Sequence, residues 1–285
     1  MSSSRFEYPQ ESPAAPQVIT QDLESQQHPV EALENLEKKS RLKHRLRDFF
    51  SENVREDALL ETELLLLAFA TGIQDATTFP DYQCFASNQT GNTVLLAVGA
   101  AGVTGDIFSM RNIGVSLALF VAGSWIMGQI GHLAGCRKRW WLILSSVLQT
   151  AMIFAASGIQ YRFGVKENEH SIAMGVIALL AFSSGGQVAM ARALLMPEIT
   201  TAMATAAYVD LFLDVNLFGR TNKSRDRRVL FLLSLFAGSF AGAFAYSRVG
   251  SAFALLISAI GKLLVTVGFV LNQRLEARQD VEMGD

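Results

Sequence analysis

The sequence predicts an all-α polytopic membrane protein: two repeats of four helical elements, giving six full spans plus two short re-entrant or broken helices. Eight spans is the alternative. Three observations carry this reading. Half of the 285 residues are apolar, mean hydropathy is +0.27 and only 18% of the residues are charged. Residues 112–131, 140–161, 171–191 and 229–247 contain no Asp, Glu, Lys or Arg, and each approaches the roughly 20 residues that cross a bilayer as helix. The second half of the chain also echoes the first.

From the N-terminus, residues 1–29 are rich in Ser, Pro and Gln and read as a disordered cytoplasmic tail. In residues 30–57, Leu42, Leu46, Phe49 and Phe50 fall at helical spacing among Lys38, Lys39, Arg41, Lys43, Arg45 and Arg47. This predicts a basic amphipathic juxtamembrane segment lying on anionic lipid; a solvated helix that only signals topology is the other reading. The net charge of −2 hides this basic excess ahead of the first span, which puts the N-terminus in the cytoplasm. The first 57 residues have no apolar core of a signal peptide, so the first span is expected to act as its own insertion signal, most simply into the plasma membrane.

Residues 58–272 form the transmembrane domain, and 273–285 a second cytoplasmic tail. Two further spans, about 58–79 and 250–272, are long enough but carry Glu61, Glu63 and Asp75, and Lys262, respectively. The repeat is read from Leu117–Trp125 (LALFVAGSW) and Leu233–Phe240 (LSLFAGSF), the second shorter by one residue. Gly185, Gly186 and Gln187 loosely echo Gly72, Ile73 and Gln74, so the units are 58–161 and 171–272. Small-residue patterns such as Gly238 with Gly242 also serve helix packing generally. The second element of each unit is short: residues 93–105 and 199–209 are uncharged and rise only about 20 and 17 Å as helix, below the roughly 30 Å hydrocarbon core. Short, small-residue segments at corresponding places in two halves point to a transporter binding site.

The polar chemistry concentrates at Gln74 and Asp75 and at Asn88, Thr90, Gly91 and Asn92, each group flanked by apolar sequence. Ionisable and amide groups at membrane depth are costly and usually functional. With the second-half residues Gln187, Thr201 and Asp210, and with Lys262, they form the expected solute-binding set. Lys262 needs a partner at mid-span, and Asp75 or Asp210 is expected to supply it; Asp214 is a fourth intramembrane ionisable group. Asn88-Gln89-Thr90 also fits a glycosylation sequon, but lies too near the membrane for that use to be preferred.

At these residues the chain resembles the YoaK-like family, uncharacterised membrane proteins of bacteria and fungi defined by a domain of unknown function. Gly72, Asp75 and Ala76 match its first-helix signature, and Asn88, Thr90, Gly91 and Asn92 its second-helix signature. The resemblance covers about 58–272 and implies a fungal-type member with an N-terminal extension. It implies fold and location, and no activity.

A transporter or permease for a small solute or ion is therefore the expected function, with a membrane scaffold or assembly factor as the alternative. An enzyme is not expected: no HExxH, GxSxG or phosphate-binding loop is present, and His132 is a lone acid-base candidate near a helix end. No catalytic residue, metal site or cofactor is assigned, since Cys84 and Cys136 are isolated. The expected partners are the bilayer, an unidentified small solute or ion, and anionic lipid at the basic arm, with homo-oligomerisation open and no nucleic acid.

Overall fold

The computed structural model describes residues 36–103, 108–164 and 170–272. The tails expected at 1–29 and 273–285 lie outside these residues. The chain forms two compact units, divided after Phe49. The regular elements described are helices: α1 over residues 36–51, then α2 (Ala58–Tyr82), α3 (Gln89–Ala100), α4 (Met110–Ala134), α5 (Arg139–Phe163), α6 (His170–Ala193), α7 (Ala204–Phe212), α8 (Lys223–Arg248) and α9 (Ser251–Leu271).

In the first unit, Leu36, Leu42 and Leu46 are exposed among the basic side chains, and Arg41 pairs with Glu37 at 3.0 Å. Helix α1 stops short of the expected residue 57 for a local reason. Glu52–Val54 pairs instead with the α4–α5 turn, where the Val54 N–H donates to the Arg137 carbonyl and the Arg139 N–H to that of Glu52.

In the second unit, the helix ends follow from capping. The Asp57 carboxylate accepts from the Leu60 N–H at 2.9 Å and starts α2; Asn88 and Asn222 do the same for α3 and α8. Five helices, α4, α5, α6, α8 and α9, are long and apolar enough to cross a membrane, and the protein reads as an integral membrane protein. Helix α2 has the same 25-residue length as α4 and α5 but carries Glu61, Glu63, Asp75 and Asp81. It lies against α8 and α9 and touches α6.

The other pairings are α4 with α6, α5 with both α6 and α9, α3 with α4, α8 with α9, α7 with α8 and, more weakly, α4 with α5. Two pairs, α2 with α8 and α4 with α6, bring backbones into contact through glycine. A Cβ on Gly72 would overlap the Leu235 carbonyl of α8, and one on Gly238 the Phe69 carbonyl of α2. Gly123 of α4 and Gly185 of α6 meet the Phe182 and Phe120 carbonyls in the same way. Small residues permit this approach, which dispersion then rewards in lipid, where hydrophobic driving force between helices is lacking. Apolar clusters fill both ends of the bundle. One gathers Leu60, Leu64 and Phe231 with Phe269, and the other Ile113, Ile153 and Ile177 with Leu255.

Helix α3 does not continue away from α2. The link after Tyr82 turns at Gln83, whose φ is 57°, and runs back along α2 until Ser87 reaches Asp75. Helix α3 then leaves along α4, and its Gly99 meets the Met110 side chain at the start of α4. The chain thus enters and leaves at one end of α2. Helices α3 and α7 have 12 and 9 residues.

The glycine contacts give a direct test. Gly238→Ala forces α2 and α8 apart and should reduce the yield of folded protein or lower its melting temperature in detergent by an amount equivalent to about 2 kcal/mol or more. Gly158→Ala in α5, where nothing lies within 4 Å of the new methyl group, should leave melting unchanged or raise it.

Candidate functional site

The candidate site grows from the broken backbone between α2 and α3. At membrane depth each peptide group of such a link needs an internal partner. Two side chains provide most of them. Asp75 accepts from the Ser87 N–H at 2.8 Å through one carboxylate oxygen and from the Ser87 hydroxyl through the other. Asn92, fully buried, treats Phe85 as a neighbouring strand would. Its Oδ1 accepts from the Phe85 N–H at 2.8 Å, and its Nδ2 donates to the Phe85 carbonyl at 2.8 Å. The Ser116 hydroxyl of α4 donates to the same carbonyl at 2.6 Å, and Asn112 donates to the Tyr82 carbonyl at 3.3 Å. Asn88 accepts from the Gly91 N–H at 3.1 Å, capping α3.

The first turn of α3 opens on a cavity of about 1560 Å³ between α2, α3, α7 and α8. Thr90 and Gly91 line it from α3, Asp75 from α2, Ser239 from α8, and the first turn of α7 closes the opposite side with Ala204 and Thr205. The Thr200 hydroxyl accepts from the Met203 N–H at 3.2 Å ahead of α7. Asp210 lies at the cavity edge and is exposed.

The residues expected to bind solute therefore separate. Asp75, Asn88, Thr90, Gly91 and Asp210 share the cavity. Asn92 belongs to the scaffold behind it. Thr201 is fully buried, in the left-handed region with φ 62°, and its hydroxyl has no partner among the described residues. Gln74, Gln187 and Lys262 face elsewhere, into a second polar centre where α2, α5, α6 and α9 meet. There Gln74 donates to Ser258 at 2.9 Å and accepts from Ser184 at 3.4 Å, while Gln187 donates to Thr71 at 2.9 Å. Ser146, Thr150 and Thr266 join hydroxyls across α5 and α9 at 2.7 and 3.2 Å.

Lys262 corrects an expectation. Its ammonium pairs with neither Asp75 nor Asp210: Nζ donates to the Ser183 hydroxyl at 3.1 Å, and Ser183 donates on to the Gln149 carbonyl. Among the described residues it forms no ion pair. Asp75 is committed to Ser87, and Asp210 lies on α7, outside the four helices that enclose Lys262. The acids near the start of α2 are also accounted for. Glu61 binds Lys223 at 3.0 Å and Arg227, and Glu63 accepts from Asn272 at 2.8 Å. Asp214 lies in the turn ahead of α8, where it holds Asn222 at 2.9 Å and Arg228 at 3.5 Å.

Sequence reasoning missed Ser87, Ser116, Ser183 and Gln149, which are isolated polar residues without a pattern around them. Their only signal was polarity within apolar runs. Both cysteines are free, and no group of three or more metal-ligating side chains occurs among the described residues.

Two substitutions separate scaffold from burden. Asn92→Ala strands the N–H of Phe85, leaves its carbonyl to Ser116 alone, and should cost about 2 kcal/mol, seen as a lower melting temperature or loss of folded protein. Lys262→Met removes a buried cation that lacks a counter-charge and should melt at or above the wild-type temperature. A sharp fall for Lys262→Met would reveal a partner.

Comparison with known proteins then places the chain. No curated protein matches it, and no solved structure does. Residues 64–268 match the family described as "Protein of unknown function (DUF1275)", a stretch that runs from the second turn of α2 to the last turn of α9 and includes the whole cavity. The chain belongs to this DUF1275 family.

Proposed function

We propose that the protein is a permease for a small solute, with six crossing helices in two inverted repeats, α2–α5 and α6–α9, and with α3 and α7 re-entrant. The observation that carries this reading is the meeting of the first turns of α3 and α7 at one cavity. Discontinuous helices whose N-termini point at a shared mid-membrane site are a recurring transporter device.

The repeat is supported by the packing. Exchanging α2 with α6, α3 with α7, α4 with α8 and α5 with α9 turns α2–α8 into α4–α6, α2–α9 into α5–α6, α3–α4 into α7–α8 and α8–α9 into α4–α5, and leaves α5–α9 and α2–α6 as they are. The glycine contacts exchange as well, Gly72 with Gly185 and Gly238 with Gly123. Gln83 and Leu195, both left-handed with φ 57° and 60°, turn the chain after α2 and α6. The basic residues of α1 favour a cytoplasmic N-terminus on anionic lipid, and six crossings return the C-terminus to the same side.

Transport is tested in liposomes. Purified protein should carry at least one of a labelled organic ammonium ion, a carboxylate or a polyol faster than protein-free vesicles do. A bulky maleimide on Thr90→Cys, in a chain with Cys84 and Cys136 replaced by Ala, should block that flux. Identical leakage with and without protein for every solute would refute the reading. Topology is checked separately: a single Cys at Lys138 should resist an impermeant thiol reagent applied outside intact cells, whereas a Cys at Val103, just past α3, should react.

A further inference from the structure

Resting on the permease reading, we propose that the cavity between α2, α3, α7 and α8 takes an organic cation, an amine or quaternary ammonium ion with an apolar body. Its lining includes two carboxylates, Asp75 and Asp210, and no Lys, Arg or His. Both oxygens of Asp75 hydrogen-bond with Ser87, one with its N–H and the other with its hydroxyl. Ser87 is neutral, so a carboxylate at the wall has no counter-charge from it. Of the basic residues around the cavity, Arg227 binds Glu61 and Glu198, Lys223 binds Glu61 and Arg228 binds Asp214, while Arg192 reaches the sulfur of Met203 at the cavity edge at 3.8 Å. Asp210 takes part in no ion pair among the described residues.

The helix ends that face the cavity carry partial positive charge, which by itself would favour an anion. At α3 that charge is countered, since Asn88 accepts from its first turn and Asp75 from the link just ahead of it. The first turn of α7 has no side-chain cap, and a full carboxylate outweighs the half-charge left there.

The rest of the wall selects the body of the ligand. Phe79 and Phe85 stack with ring centroids 4.8 Å apart, and Phe120 and Phe240 add two more rings. Ring faces attract cations and repel anions. A hydrated metal ion suits the site poorly, since stripping its water requires about six oxygen ligands and the oxygens of Asp75 are already engaged by Ser87. An ammonium ion keeps its charge spread over alkyl groups and loses little by entering an apolar cavity beside a carboxylate.

The test uses the full chain in detergent with benzyltrimethylammonium as the cation and benzenesulfonate as the anion of similar size, binding being read by titration calorimetry. The ammonium should bind and the sulfonate should not. Asp210→Asn and Phe79→Leu, which leave the Asp75–Ser87 contact untouched, should each weaken ammonium binding about fivefold or more. Asp75→Asn should abolish it where that variant still melts cooperatively. Absence of ammonium binding, equal binding of the sulfonate, or affinity unchanged in Asp210→Asn and Phe79→Leu overturns the proposal. Ammonium binding with these losses but without flux in liposomes overturns the permease reading and leaves the ligand class standing. Flux of another solute without ammonium binding does the reverse.

Discussion

Most of the architecture around the cavity depends on one exchange of hydrogen bonds: the side chain of Asn92 satisfying both the N–H and the carbonyl of Phe85. A chain that leaves a helix inside a bilayer loses its partners and finds no water to replace them. Asn is suited to the repair because its amide presents a donor and an acceptor side by side, as a peptide group does. Asp75 performs the complementary task one turn of the link later, accepting from Ser87. With these two residues in place the link can run back along α2, α3 can begin beside the cavity, and a polar helix end can be held where hydrocarbon would otherwise be.

Polar groups inside the bundle serve two separate systems. The cavity group is half-open, acidic and rimmed with aromatic rings. The centre formed by α2, α5, α6 and α9 is closed, and its amides and hydroxyls mostly satisfy one another and nearby carbonyls. Lys262 is the costly member, since an ammonium at that depth carries a penalty of about 3 kcal/mol on insertion scales and, among the described residues, is met only by Ser183.

Spans without charge were legible in the sequence because the bilayer imposes length and composition directly, and α4, α5, α6 and α8 appear where those runs lie, with α9 over the apolar run that carries Lys262. The Asp75–Asn92 region was legible as polarity out of place. Two things were not. The partner of Lys262 depends on which face of α6 turns inward, and four charges offered several pairings of equal merit on paper. The division of labour between Asn88, which lines the cavity, and Asn92, which holds the link behind it, turns on helical phase over four residues. Neither is carried by residue type.

The backbone contacts at Gly72 with Gly238 and at Gly123 with Gly185 have a consequence for motion. Helices that touch backbone to backbone slide poorly, because no side chain remains to rotate out of the way. Each of the two locked pairs, α2 with α8 and α4 with α6, takes one helix from each half of the sequence. The stiff bodies are therefore interleaved with respect to chain order, and α2 and α8, which line the cavity, belong to the same one. The hydroxyl contacts of Ser146 and Thr150 with Thr266 lie outside both locked pairs, between α5 and α9, where a rotating O–H can trade one partner for another without stranding a polar group.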